Sequence, residues 1–422
     1  MRIVKVTFVK GVSAFYFDDQ VAVKAGAKQD GFIYQGEPVT DGFNSVRQTG
    51  ECISVLLHLE SGHIARGDCT AVQYSGAGGR DPVFICDNYI NFLRDKVAPT
   101  LIGRCVTQFT QNSRYFDKLV IEGRCLHTAI RYGLSQALLD ATALANGCLK
   151  TEVICAEYQL PLNITKIKLF GQSGDDRYTS VDKMILKGVD TLPHALINSI
   201  EKIGKDGEAL SAYVAWLIAR IDRYKPDVAY RPDLHIDVYG MTGEIFNYNS
   251  QLISDYIARL QDSAGDYQLY IEGPVDAGNK SEQIEMLSAI KAALTASGSA
   301  AKIVADEWCN TYPDVVDFVD ADCCHMVQIK TPDLGGVHNT VEAVLYSRKH
   351  HVEAYQGGTC NETEVSAQVC THLALASRPD LMLVKPGMGF DEGMTIVANE
   401  MARTIQVLED KHSESQLISS VG

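Results

Sequence analysis

The chain has 422 residues, 46% of them apolar and 22% charged, with a formal net charge of −15. The length exceeds one small domain, and the composition is enough for a large core. The acidic balance argues against a nucleic-acid surface, and no stretch approaches the roughly 18 uninterrupted apolar residues of a membrane span.

In chain order, Met1 to Phe8 alternates like a strand, clearest over Val4–Val9, and no apolar secretory segment follows. Cys52–Glu60 and His63–Asp68 flank the turn Ser61-Gly62 and predict a hairpin. Pro82 to about Leu101 turns helical. A longer helix is predicted from about Leu126 to Asn146, where Ile130, Leu134, Leu138 and Ala141 recur at three-to-four spacing. Residues 1–160 therefore read as an α+β capping domain. The Gly76–Gly79 cluster lacks the Lys-Ser/Thr of a phosphate loop and the spacing of a dinucleotide fingerprint. It reads as a turn, with a site-closing loop as the alternative. The twelve cysteines form no C-x-x-C pair, and Cys323 and Cys324 are adjacent. They read as reduced, mostly buried thiols of a cytoplasmic protein.

From about Ile164 the texture changes. Short β-rich runs (Ile167–Phe170, Leu234–Val238, Tyr267–Ile271, Lys302–Ala305, Met326–Ile329, Val352–Tyr355, Leu381–Val384) alternate with helical stretches such as Ser250–Asp262 and Ser281–Ser297. Strand-helix alternation predicts a parallel sheet. Seven such strands plus one near His194 fit a (β/α)8 TIM-type barrel over residues 161–410, an α/β fold, better than an open sheet. The polar segment 411–422 is expected to be frayed or disordered.

Three of these strands end in acids: Asp237, Glu272 and Asp306, spaced by 35 and 34 residues (237 to 272, 272 to 306), about one βα unit each. In a barrel such positions face the active-site mouth. A single acid after a strand is often a cap or a turn residue. Three in register are costly to bury without a cation, and hard oxygen ligands suit Mg²⁺. The next strand ends in Lys330 and breaks into Thr331-Pro332-Asp333-Leu334-Gly335-Gly336. Burial and a nearby Mg²⁺ are expected to lower its pKa and make it a base near neutral pH; a solvated surface lysine is the alternative. Base plus metal is the combination that removes a proton next to a carboxylate, because the enolate needs a cation on its oxygens.

Several segments then narrow the reading. They include Phe15–Gln20, Ala71–Pro82, Gln172–Tyr178, Leu192–Asn198, Val327–Gly336, Gly357–Thr363 and Lys385–Gly389. In these the chain resembles the methylaspartate ammonia-lyase family of the enolase superfamily. The resemblance implies a capping domain, a modified barrel and a Mg²⁺-dependent lyase that converts (2S,3S)-3-methylaspartate, an amino diacid, to mesaconate and ammonia. It implies Asp237, Glu272 and Asp306 as metal ligands and Lys330 as the base at C3. His194 matches the residue across the substrate, an opposite-face base or a transition-state stabiliser. Gln172, Gln328, Thr359 and Cys360 match substrate-binding positions, and Gln73 is implied to reach in from the cap. It also implies a homodimer, a role in glutamate degradation and room for K⁺ as a monovalent activator.

These assignments suit the residues. Gln172 and the Thr359–Cys360 backbone and side chains supply donors for a carboxylate. Gln328 lies two residues before Lys330, on the same side of the strand. Phe170, Tyr355 and Leu383 sit near strand ends and are expected to wall the methyl group. Cys360 has no base near it in sequence, which argues against a thiol nucleophile. Without the resemblance His194 is equally a packed histidine, and two rivals stand: a dehydratase, epimerase or cycloisomerase of the same superfamily, and a catalytically silent barrel.

Overall fold

The computed structural model describes residues 1–421, with side chains through Ser413. The N-terminal part is built on three antiparallel strands, β1 (Ile3–Asp18), β2 (Arg47–Leu59) and β3 (Ile64–Cys69), in the order β1-β2-β3. Period-2 patterning turns Ile53, Val55, Leu57 and Leu59 of β2 inward. Helix α1 (Phe109–Asp117) packs on the nearly buried α2 (Thr128–Asn146), which covers that sheet, and α3 (Lys150–Tyr158) follows. α2 touches β3 backbone to backbone. A Cβ on Gly67 would lie 2.3 Å from the Gly133 carbonyl oxygen, and one on Gly133 2.5 Å from the Cys69 nitrogen, so neither position accepts a side chain.

The remainder is a closed barrel of eight parallel strands: β4 (Lys168–Gly174), β5 (Thr191–Leu196), β6 (Asp233–Asp237), β7 (Leu269–Glu272), β8 (Lys302–Ala305), β9 (Met326–Ile329), β10 (Glu353–Gln356) and β11 (Leu381–Leu383). Each pairs with its neighbours in sequence, and β11 closes on β4. The barrel is α/β and TIM-type, as the alternation predicts. Helices such as α4 (Ser250–Ala264) and α5 (Lys280–Ser297) wrap it; α4 buries Ile253, Ile257, Leu260 and Ala264 at helical spacing. Inside, Phe170, Tyr270, Val304, Met326, Tyr355, Leu381 and Leu383 fill the bore.

Three expectations change. The helix expected over Pro82–Leu101 is broken: Cys86–Phe92 and Ala98–Leu101 are α-helical, with a π-turn at Leu93–Val97 between them. Pro99 offers no N–H and its ring conflicts with the carbonyl four residues back, so the ladder shifts before it. The first strand runs 16 residues rather than six, with an irregularity in its pairing between Val12 and Tyr16. The polar segment after Asp410 continues the helix Asp391–Val421, where Lys411 pairs with Glu152 of α3 at 2.6 Å; Gly422 lies outside the described residues. All twelve cysteines are free thiols, and no helix among the described residues is long and apolar enough to cross a membrane.

Candidate active site

β6 and β7 pair in register so that their last residues, Asp237 and Glu272, stand side by side. Both are buried. His194 of β5 brings Nε2 to 3.7 Å from Asp237 Oδ2 and 3.6 Å from Glu272 Oε2. One ligating atom from each of the three falls within 4.8 Å of the others. Asp306 directly follows β8, and Lys330 directly follows β9. The Lys330 Nζ lies 2.7 Å from Asp306 Oδ1, a charge-assisted contact between two largely buried groups.

Glu272 is held on both oxygens. The His235 Nε2 is 2.7 Å from Oε2, and Gln328 Nε2 donates to Oε1 at 2.5 Å. His235 is fully buried and stacks on Phe170 at 4.4 Å and Tyr270 at 5.5 Å. It was absent from the sequence reading, yet its signal was there: it precedes Asp237 by two residues and so shares its face of the strand.

Burial and the neighbouring carboxylates of Glu272 and Asp306 push the Asp237 carboxyl well above its ordinary range. Burial also acts to raise Glu272, but His194 and His235 outweigh it and hold that carboxylate low. Lys330 departs from expectation. Burial pulls its ammonium down, but Asp306, aided by Glu307 and Asp333, outweighs burial and Arg80 and holds it above its usual value. The expectation weighed burial and a cation, and left out the carboxylates packed on the amine. The buried Cys360 thiol is pushed up to about 12 by burial, which leaves it a poor nucleophile.

Above these groups lies a void of about 590 Å³ counted to its open mouth. Gln73, Gln172, His194, Asp237, Asp306, Gln328, Lys330, Tyr355, Thr359, Cys360 and Leu383 all line it. Phe170 and Glu272 do not. Phe170 packs in the bore beneath, 5.5 Å from the His194 ring and 5.3 Å from Tyr355, and so supports the wall rather than forming it. The orphaned buried atoms Gln172 Oε1, Gln328 Oε1, His194 Nδ1 and Tyr355 Oη cluster at this cavity, as expected of a site shaped for a polar ligand.

The cap completes the lining. Gln73 Nε2 donates to Asp18 Oδ2 at 2.7 Å, and Arg47 fixes Asp18 with two 2.7 Å hydrogen bonds. That arrangement leaves Gln73 Oε1 to accept from Cys360 Sγ at 3.4 Å. Arg80, from the glycine-rich turn, donates to Asp333 at 2.7 Å and to Asn310 at 3.0 Å, over the loops after β9 and β8. Arg80, Tyr74, Tyr239 and Glu307 line the cavity and were missed as site residues. The donor set fits a hard divalent cation: adjacent buried carboxylates, one of them held in the neutral-favouring range by burial and by the charges of Glu272 and Asp306, gain most from positive charge placed between them.

The family profile described as "Methylaspartate ammonia-lyase N-terminus" matches residues 1–159, and the one described as "Methylaspartate ammonia-lyase C-terminus" matches residues 161–410. The chain belongs to the methylaspartate ammonia-lyase family. The family's enzyme from Citrobacter amalonaticus is 64% identical over 97% of this chain and 100% of its own. Its crystal structure containing (2S,3S)-3-methylaspartic acid superposes with a TM-score of 0.96. The Mg complex of β-methylaspartase from Clostridium tetanomorphum, 50% identical over 97% of this chain and 100% of that one, gives 0.94. The L-Ala-D/L-Glu epimerase of Bacillus subtilis, 14% identical over 93% and 91% of the two chains, gives 0.64 and shares the fold alone. Methylaspartate ammonia-lyases thus match this chain over both its cap and its barrel.

Proposed function

We propose that the chain is a Mg²⁺-dependent carbon–nitrogen lyase that eliminates ammonia from (2S,3S)-3-methylaspartate to give mesaconate. The observation that carries this reading is the meeting of Lys330 and Asp306 at 2.7 Å beside the buried pair Asp237–Glu272, in a cavity lined by the amide side chains Gln73, Gln172 and Gln328. Asp237, Glu272 and Asp306 would hold the cation. Bound there, it supplies positive charge to the substrate carboxylate beside C3 as negative charge develops on it. Positive charge held by Asp306 would offset its hold on the Lys330 ammonium, so that Lys330 acts as the neutral amine and takes the C3 proton; Asp306 stabilises the ammonium that results. The C3–H and C2–N bonds break, the C2=C3 bond forms, and ammonia leaves from C2. His194, beside the two carboxylates, serves the opposite-face proton or the developing charge. Gln172, Thr359 and Cys360 orient the second carboxylate, Gln328 and Gln73 complete the polar rim, and Tyr355 and Leu383, backed by Phe170, meet the methyl group.

The same reading divides the chain into a cap over residues 1–160 and a barrel over 161–410. It assigns the enzyme to the cytoplasm and to glutamate degradation, as a homodimer, with K⁺ as a monovalent activator. Light scattering on the purified chain tests the dimer. The dehydratase, epimerase and cycloisomerase alternatives share with it only the fold and are set aside. A substrate panel tests the choice, with products identified by NMR. Mesaconate from 3-methylaspartate, with aspartate slower and acid sugars inert, is the expected result; turnover of an acid sugar with 3-methylaspartate untouched would reverse it.

A further inference from the structure

Below the cavity rim lies a second ionic cluster that the reaction above does not use. Lys385, after β11, and Glu362, after β10, are both fully buried, with Lys385 Nζ 2.9 Å from Glu362 Oε1. Lys385 also donates to the Gly357 carbonyl oxygen and to Thr331 Oγ1, each at 2.8 Å. Thr331 Oγ1 donates to Glu362 Oε1 at 2.8 Å, and Tyr132 of α2 donates to Oε2 at 2.8 Å. The links therefore tie four segments together: the loop after β9, the loop after β10, the loop after β11 and one cap helix. A Cβ on Gly358 would lie 2.3 Å from Lys385 Nζ and 2.9 Å from Glu362 Oε1, so the glycine is what lets the ammonium reach the loop backbone.

A buried ion pair is weak evidence for stability, since apolar replacements often do as well. Its placement points elsewhere. Thr331 is the residue after Lys330, and Gly357–Glu362 is the loop that carries Thr359 and Cys360. We infer that Lys385 and Glu362 are positioning residues, which hold the proton-accepting amine and the substrate-carboxylate loop in one fixed arrangement through Thr331 and Gly357. This rests on the reading of Lys330 as base and Thr359–Cys360 as substrate donors. Misplacement of reacting groups by about 1 Å costs on the order of a hundredfold in rate, so the cluster governs turnover without touching substrate.

The test uses the full-length enzyme with Mg²⁺ and 3-methylaspartate, comparing Thr331→Val, Thr331→Ser and the charge-neutral double variant Lys385→Met/Glu362→Gln. Thr331→Val removes the hydroxyl through which Lys385, Glu362 and Tyr132 hold the residue after Lys330, and leaves the Lys385–Gly357 bond; kcat is expected to fall about tenfold with KM within about twofold. Thr331→Ser keeps the hydroxyl and restores kcat. The double variant frees Gly357 and raises KM about tenfold as well. Thermal midpoints are measured alongside. Wild-type kcat and KM in Thr331→Val and in the double variant, with only the midpoint lowered, would make the cluster purely structural and overturn the inference. If Thr331→Val fails to fold, the double variant decides. Absence of turnover by the wild-type enzyme itself would instead overturn the function on which the inference rests, and the inference with it.

Discussion

At the scale of single residues, the contact of Lys330 with Asp306 joins the proposed base to a proposed metal ligand. Replacing Lys330 with Ala removes the only group assigned to the C3 proton. Mesaconate formation is expected to fall below detection in an ultraviolet assay, while the far-ultraviolet circular dichroism spectrum stays that of the wild type. Wild-type turnover by that variant would refute the assignment. His235 makes a different prediction. It is stacked between Phe170 and Tyr270 and holds one oxygen of Glu272, so it orients a carboxylate that it does not replace. His235→Leu is expected to weaken Mg²⁺ binding by about 10–100-fold in a calorimetric titration, with the substrate-free fold retained. Unchanged metal affinity would show that Glu272 needs no such support.

At the scale of elements, the strands bring the chemistry to one rim and the loops after them finish it. Strands β8 and β9 were legible to the residue, because short apolar runs stop at Asp306 and Lys330 and one βα unit separates each acid from the next. The barrel followed from those stops, and so did Asp237, Asp306, Lys330, Tyr355 and Leu383 of the cavity lining; Gln73, Gln172, His194, Gln328, Thr359 and Cys360 came from the family resemblance. What stayed hidden depends on distance in the sequence. Arg80 meets Asp333, 253 residues away, and nothing local to either marks the pair. The break at Leu93–Val97 reflects Pro99 acting backward on the ladder, which a periodicity count passes over. Between β8 and β9, His325 accepts a hydrogen bond from the Ile303 N–H on its Nδ1 at 3.1 Å and so must be neutral there. Burial, reinforced by Lys291 and Lys302, lowers its pKa to about 4. The folded value lies below the unfolded value of roughly 6.5, so the unfolded chain binds the extra proton between those limits. Stability is then full above about pH 6.5 and falls as pH drops toward 4, by about 1–2 kcal/mol once solvent screening is allowed for. Urea unfolding at pH 7 and pH 4.5 checks this: His325→Asn, which keeps an acceptor but does not titrate in this range, should show a shallower loss. An identical loss in the variant would remove His325 as the cause.

At the scale of the whole molecule, cap and barrel form one site. Asn361, in the loop after β10, accepts from Ser13 of β1 at 2.8 Å and donates to the Tyr16 carbonyl oxygen at 2.8 Å, while the Gly336 N–H donates to Asp117 of α1 at 2.9 Å. A cation held by the barrel acids binds the folded chain and not the unfolded one. Mg²⁺ at a hundred times its dissociation constant is expected to add about 2.7 kcal/mol to stability, seen as a higher thermal midpoint that chelation reverses. A midpoint indifferent to Mg²⁺ would argue against a built cation site. Metal, base and substrate meet in one proposed reaction, and conjugated-acid absorbance from 3-methylaspartate, followed with Mg²⁺ and again after chelation, reads all three at once. A steady rise is expected with Mg²⁺, none after chelation, and recovery when Mg²⁺ is restored. No rise with Mg²⁺ present, or an undiminished rise after chelation, would contradict that reaction.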